Sequence, residues 1–370
     1  MAKAVGVIFS NIHEENVPEL VRRRTMASIP FGGRYRLIDF HLSNMVNSGI
    51  TTVGLMASNN YRSLIDHIGS GKDWDLARKD GGLILLPPYS YKSEKLYSTR
   101  LEALSGLTGF LKRRNEKYVV LCDSDFVAKC NISDIVEYHE QKNADITLVS
   151  HYGELTNTAG LMLVDANDSG RITEIKYEPH VSKNAVGHSY AGIMVVNRQF
   201  LMNVVEDSIS HGFTDFEKDI LAKQVASLKI YRYQFNGYFA DMTSTAAYYK
   251  HNMRLLDKEV RDELFGARDM YTKVRDSAPS KYGANAIVSN SLISDGCVIE
   301  GTVENCILFR GVKVGKGAVV RNSIVMQDTI IGDNASLNCV ITDKNVVVGD
   351  KRSLSGCETL PYFIQKGTML

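Results

Sequence analysis

Residues 286–350 read AIVSNS LISDGC VIEGTV ENCILF RGVKVG KGAVVR NSIVMQ DTIIGD NASLNC VITDKN VVVGD. An apolar, mostly β-branched residue returns about every six positions, and Ile287, Ile293, Ile299, Val312, Ile324, Ile330 and Ile341 mark the register. Ser, Gly, Asp and Asn fill the steps between. A six-residue period signals a parallel β-helix whose coils are each built from three short flat strands. Such a coil cannot bury its apolar face alone and must stack on its neighbours. Short antiparallel strands in a sandwich do not hold a six-residue step for this long. The expectation is a β-helix over residues 285–370.

Working outward, residues 256–284 are charged and contain no long apolar run, and they read as a linker. Residues 1–255 have a different rhythm. Apolar runs at Ala4–Phe9, 51–57, 82–88 and 117–125 alternate with helical patterns at 36–50, 61–71, 99–113 and 132–144, followed by a strand at 145–152. Strand and helix in strict turn imply a mainly parallel sheet with right-handed crossovers. Ligands of such sheets bind at the carboxyl ends of the strands. The loop Ser10-Asn11-Ile12-His13-Glu14-Glu15-Asn16 falls there, as do Asp123 and Asp125. That loop has no glycine and two acids, which is a poor cradle for phosphate.

Composition narrows the class. The 370 residues are 44% hydrophobic and 23% charged, with a formal net charge of +1. That suits two soluble globular domains and argues against binding nucleic acid through bulk charge. No 18-residue uncharged apolar run exists, and Met-Ala-Lys-Ala-Val-Gly-Val has no signal-peptide core, so no membrane partner is expected. The 6 cysteines show no C-x-x-C pair or zinc spacing and read as buried free thiols of a cytoplasmic protein.

Four longer motifs carry a resemblance. IPFGGRYRLIDFHLSNMVNSGI (29–50), WDLARKDGGLILLPP (74–88), DFEKDIL (215–221) and GYFADMTSTAAYYKHNMRLL (237–256) are similar to blocks of the ADP-glucose pyrophosphorylases, the glucose-1-phosphate adenylyltransferases of glycogen and starch synthesis. The resemblance spans essentially the whole chain. It implies an α/β fold in two parts. One is an N-terminal, mainly parallel-sheet, Rossmann-like nucleotidyltransferase domain at 1–255. The other is a C-terminal left-handed parallel β-helix of hexapeptide repeats at 285–370. It also implies a reaction in which glucose 1-phosphate attacks the α-phosphorus of ATP. Mg²⁺, basic side chains and backbone N–H groups neutralise the charge.

The charge-handling parts implied by the family are largely replaced. Its G-G-x-G-x-R-L loop falls on Asn11, Ile12, Glu14, Asn16 and Val17. Glu14 and Glu15 are expected where phosphate would lie, and two like charges 4 Å apart at an effective dielectric of 20 repel by about 4 kcal/mol. The family's K-P-A-V lysine is Met26, and the lysine of its E-x-x-E-K-P is Glu178, with Lys176 two residues away on the same strand face as the nearest substitute. Its small G-T-A turn becomes STRLEA, placing Arg100 and Leu101 against the nucleotide. The metal carboxylates remain as Asp125 and Asp241, either as Mg²⁺ ligands or as strand-end acids held by loop amides. Arg22, Arg23 and Arg24 occupy the segment that in the family binds effector phosphates, of a phosphorylated sugar or a nucleotide.

Fold-building residues kept and charge-handling residues lost resemble the non-catalytic GlgD-type subunit of Gram-positive bacteria. That likeness implies a heterotetramer with a catalytic, GlgC-type ADP-glucose pyrophosphorylase subunit, or a homo-oligomer alone. Two other readings stand beside it: an active adenylyltransferase with a rearranged loop, and a sugar-phosphate or nucleotide sensor that shares only the fold.

Overall fold

The structure is a computed structural model that describes residues 3–87, 97 and 99–370. Pro88 and Ser98, at the ends of two quoted motifs, lie outside the described residues. The chain forms two compact units that interleave in sequence. One holds the chain up to Glu15 together with Arg24–Ser28 and Phe40–Phe239; the other holds Asn16–Arg23, Ile29–Asp39 and Ala240–Leu370.

The first unit is built on a nine-stranded sheet. Ala4–Phe9 is central, parallel to Thr52–Met56 on one side and to Tyr118–Cys122 on the other, and Gly82–Leu86 extends the parallel run. Ala4–Phe9 is buried along its whole length, as a strand covered on both faces must be. The long strand Val186–Asn197 then joins antiparallel to Tyr118–Cys122, with Ile146–Glu154 beside it and Ile230–Phe235 parallel to that. A hairpin of Met162–Ala166 and Ile172–Tyr177 completes the sheet. The helices Leu37–Asn47, Arg62–Ile68 and Arg100–Lys112 connect the parallel strands. Leu104, Leu107, Phe110 and Leu111 of the last pack into the same apolar core as Val5, Val7, Leu121 and Met194. The motif residues of 43–48 are structural. Asn44 bonds the Ala128 carbonyl and the Cys130 N–H at 2.9 and 3.1 Å, and the Ser48 hydroxyl accepts from the Ile132 N–H at 2.8 Å.

The second unit carries the left-handed parallel β-helix, three five-stranded sheets of very short strands. Thr302 pairs with Val319, Val319 with Ser336 and Ser336 with Ser353, so these coils share one step, while the first coil, from Ile287 to Thr302, is two residues shorter. Side chains alternate in and out. Val303, Val320 and Leu337 stack in the core, as do Ile299, Val314, Ile331 and Val348. Here the six-residue register needs correcting. Ile299, Val312, Ile324 and Ile341 are fully buried and Ile293 half-buried, but Ile287 and Ile330 are 62% and 41% exposed. In a two-residue strand one side chain must face out, and the inward partner of Ile330 is Ile331. Asn290, Asn305 and Asn322 turn the corners with φ of 39°, 51° and 45°, a left-handed conformation that asparagine tolerates. Their amides link successive coils: Asn290 donates to Asn305 at 2.7 Å, Asn305 to Asn322 at 3.3 Å, and Asn322 to Asn338 at 3.0 Å.

The stretch 256–284 has structure of its own. Helix Lys258–Phe265 buries Val260 and Leu264, and Lys281–Tyr282 already pairs with Val298–Ile299. The PFGGRYRLID block belongs to this unit and ties it together. Gly32 N–H donates to Asn252 at 3.0 Å, Tyr248 hydroxyl to the Pro30 carbonyl at 2.7 Å, and Thr272 to Asp39 at 2.6 Å.

Candidate functional site

A cavity of about 240 Å³ opens at the carboxyl end of Ala4–Phe9, within the first unit. The loop that follows the strand forms one wall, and it is wired to itself rather than left open. The Asn11 side-chain oxygen accepts from the Ser10 hydroxyl at 2.8 Å and from the Ser58 N–H at 2.9 Å. Its amide donates to Glu14 at 2.7 Å and to the Asn59 carbonyl at 3.2 Å. Glu14 also accepts from the Met26 N–H at 3.2 Å. Glu14 therefore does not project at a phosphate position as expected. It turns inward to satisfy a side-chain amide and a backbone donor, and of the two loop acids Glu15 lines the cavity. Burial pushes the Glu14 carboxyl up to about 7, against the two hydrogen bonds it accepts. Met26 is fully buried, Ile12 packs on the apolar core, and Asn16 begins a segment of the second unit.

Two cations hold the floor of the cavity. Arg100 opens its helix, behind a Thr99 cap that accepts from the Glu102 N–H at 3.3 Å. A positive charge stands at the wrong end of the helix dipole there, and two acids compensate. The guanidinium forks onto Asp123 at 2.7 and 3.0 Å, and its Nε donates to Glu217. It also lies 4.9 Å from the Phe9 ring centre. The side chains are buried, with 3% exposure for Arg100 and 1% for Asp123. Burial opposes the charge on Arg100, but Asp123 and Glu217 outweigh it and hold its pKa well above the ordinary value. Arg100 does not face outward over a nucleotide as the sequence suggested, because a buried aspartate beside it requires a counter-charge.

His13 is the second cation. Its backbone is left-handed, with φ of 52°, which swings the ring so that Nδ1 meets Asp125 Oδ2 at 2.7 Å. The ring lies on Gly160, where a Cβ would fall 2.0 Å from Nε2, so only glycine leaves it room. Burial lowers the imidazole pKa, but attraction to Asp125 and Asp123 and the hydrogen bond to Asp125 reverse this and raise it to about 9. The same pairing pulls Asp125 below its ordinary value against burial.

Glu178 and Lys176, two further sequence-derived positions, do not line the cavity. Glu178 has φ of 48° just beyond its strand; it accepts from the Gly160 N–H at 3.3 Å and lies 3.5 Å from Lys218. Lys218 is further engaged by Asp215 at 3.8 Å and by the Tyr177 ring at 4.8 Å. Lys176 is no substitute for the missing lysine. Tyr177 lines the cavity, so its strand neighbour points away, toward Glu174 at 3.0 Å and Asp165 at 3.9 Å. The same-face reading with Glu178 fails because the strand ends at Tyr177 and the left-handed residue breaks the alternation. Asp125 belongs to the first unit and Asp241 to the second, where Asp241 lies 3.2 Å from His251 Nε2. Among the described residues, no group of three or more His, Cys, Asp and Glu side chains is arranged to hold a metal ion. Arg22 and Arg23 are exposed, Arg22 donating to Gln365 at 2.7 Å, whereas Arg24 is buried.

Residues 18–258 match the nucleotidyl transferase family, and 277–356 match the GlmU-like C-terminal hexapeptide family. The chain is 39% identical over 370 residues to the glycogen biosynthesis protein GlgD of Geobacillus stearothermophilus, covering 99% of this chain and 97% of that protein. It is 33% identical over 318 residues to GlgD of Bacillus subtilis (strain 168), covering 86% and 82%. It belongs to the GlgD and glucose-1-phosphate adenylyltransferase family of glycogen biosynthesis. Its identity to the glucose-1-phosphate adenylyltransferase of Geobacillus stearothermophilus is 32% over 326 residues, covering 86% of this chain and 83% of that enzyme.

Two residues of the cleft, His13 and Glu217, carry little signal in the sequence alone. His13 was quoted without a role, and Glu217 was noticed only inside a motif. The usable signal was charge balance: two aspartates two residues apart at one buried strand end require counter-charges, whichever part of the chain supplies them. Five of the six cysteines are buried free thiols as expected, whereas Cys357 is exposed. Among the described residues, no helix is long and apolar enough to cross a membrane.

Proposed function

We propose that the chain is a regulatory or scaffolding subunit of glucose-1-phosphate adenylyltransferase, with little or no turnover of its own. It works in the cytoplasm beside a catalytic subunit of the same fold, in a heterotetramer. The observation that carries this reading is the inward use of charge in the cleft. Joining glucose 1-phosphate to ATP requires free positive charge facing the triphosphate. In this cleft Arg100 is spent on Asp123 and Glu217 and His13 on Asp125, while the half-exposed Lys218, beside the lining residues Tyr177 and Asp215, lies 3.5 Å from Glu178 and 3.8 Å from Asp215. Glu15 and Asp215 line the cavity that remains. The likeness to GlgD over 99% of the chain supports the same reading.

Such a subunit acts through its interface, with a coupling free energy of about 1–3 kcal/mol, or roughly 5- to 150-fold. Arg22 and Arg23, which are exposed, are the candidates for contact with an effector phosphate. The test is ADP-glucose synthesis from ATP, Mg²⁺ and glucose 1-phosphate by this chain alone, by a catalytic homologue alone, and by the two together. Silence alone with a changed rate or effector response in the mixture is expected. Full activity alone refutes the proposal, and so does failure to associate.

A further inference from the structure

The family implies Mg²⁺ at the strand-end acids, and the side chains of this cleft are a poor fit for it. A magnesium ion takes one or two free carboxylates, waters and substrate phosphates in near-octahedral array. Both oxygens of Asp123 are occupied by the Arg100 guanidinium, and Asp125 Oδ2 by the His13 ring. Glu217, the next acid in the same cluster, is held by Arg100 Nε. These are built contacts: the Arg100 and Asp123 side chains are buried, and Gly160 leaves the space the His13 ring fills.

We infer that the paired aspartates of this cleft are occupied from within the chain, Asp123 by the Arg100 guanidinium and Asp125 by the His13 ring, and that the cleft takes up no divalent metal ion. Arg100 is a permanent cation fixed by two carboxylates. His13 is placed on Asp125 by a left-handed residue and a facing glycine. A metal ion held by both aspartates would have to displace both and then sit beside the displaced guanidinium. The inference goes beyond the proposed function, because a subunit without turnover could still bind metal.

The test is a titration of the full-length chain with Mn²⁺, following the electron paramagnetic resonance signal of the free ion near neutral pH. The wild-type chain is expected to leave that signal unchanged apart from weak, non-saturating surface binding. His13→Gly suits the left-handed backbone and frees Asp125; it is expected to retain Mn²⁺ at least about tenfold more tightly than the wild type. Adding Asp125→Asn should abolish the gain. His13→Gly/Arg100→Met should bind more tightly still. If that double variant does not fold, judged by the fluorescence of Trp74, the single His13→Gly comparison decides. A saturable wild-type site lost in Asp125→Asn overturns the inference, and so does a His13→Gly variant that binds no better than wild type. Because the readout is metal and not ADP-glucose, failure here leaves the mixing experiment unaffected.

Discussion

Replacing Arg100 by methionine tests the centre of the cleft most directly. The variant keeps an unbranched side chain of similar reach but strands two acids. Asp123 is 1% exposed and the Glu217 side chain 11%, so neither can recover hydration where it stands. Removing one partner of a buried ion pair costs about 3–5 kcal/mol, because the remaining charge is left uncompensated. With a urea dependence of about 3 kcal/mol per molar, the unfolding midpoint should fall by about 1–2 M. Trp74 is the only tryptophan and is buried in the first unit, so its fluorescence reports that unit alone. The loss should also depend on pH. Burial already pushes the Asp123 carboxyl up, and without the guanidinium to oppose it the variant folds most easily when Asp123 is protonated. The deficit should therefore be smaller at pH 5 than at pH 8, and adding Asp123→Asn should recover a large part of it. A cost below about 1 kcal/mol, or an equal cost at both pH values, would refute the claim that Arg100 neutralises these acids.

Other outcomes follow from neighbouring features. The Glu14 carboxyl titrates at about 7 in the fold against an ordinary 4.5, so its contribution is most favourable below pH 4.5 and declines as pH rises through 7. Glu14→Gln keeps an oxygen for Asn11 and Met26; discounted for partial solvation, it should gain about 1–2 kcal/mol at pH 8 and nothing at pH 4, read by urea unfolding. In the β-helix, Leu337→Ala should cost about 2–5 kcal/mol and Ile330→Ala within about 0.5, because the first faces the core and the second the solvent. Equal thermal shifts for the pair would place the register wrongly. Asn322→Ala should melt below Asn322→Gly, since only glycine takes φ of 45° freely once the amide ladder is cut.

The sequence disclosed its local and periodic features well. Strands such as Ala4–Phe9 and Tyr118–Cys122, and helices such as Arg100–Lys112, announce themselves through runs and spacing within a dozen residues. The β-helix was legible for the same reason, although a strict period of six misplaced Ile287 and Ile330. The coil repeat is set by three unequal corners, and the side-chain alternation within each strand has a period of two. The cleft was legible only as a list of losses. What replaced the lost groups depends on Arg100 meeting residues 23 and 117 positions away, and on His13 meeting Asp125 112 positions away. No local pattern encodes such pairings. Glu14 was misjudged because charge alone says where an acid is unwelcome, not which buried donors it serves.

The Arg100 cluster also has a history written into it. Suppose a descendant of this chain were to regain a nucleotide-handling cleft. A small residue cannot enter position 100 first, because that single step leaves Asp123 and Glu217 without their cation. Nor can the acids be exchanged first without stranding the arginine. His13 adds a one-way constraint, since Gly160 can take no side chain while the ring lies over it. Within the Arg100 cluster each first step leaves a buried charge without its partner. The cleft thus behaves as a ratchet, because the single substitutions that would turn its charges outward each strand a buried partner.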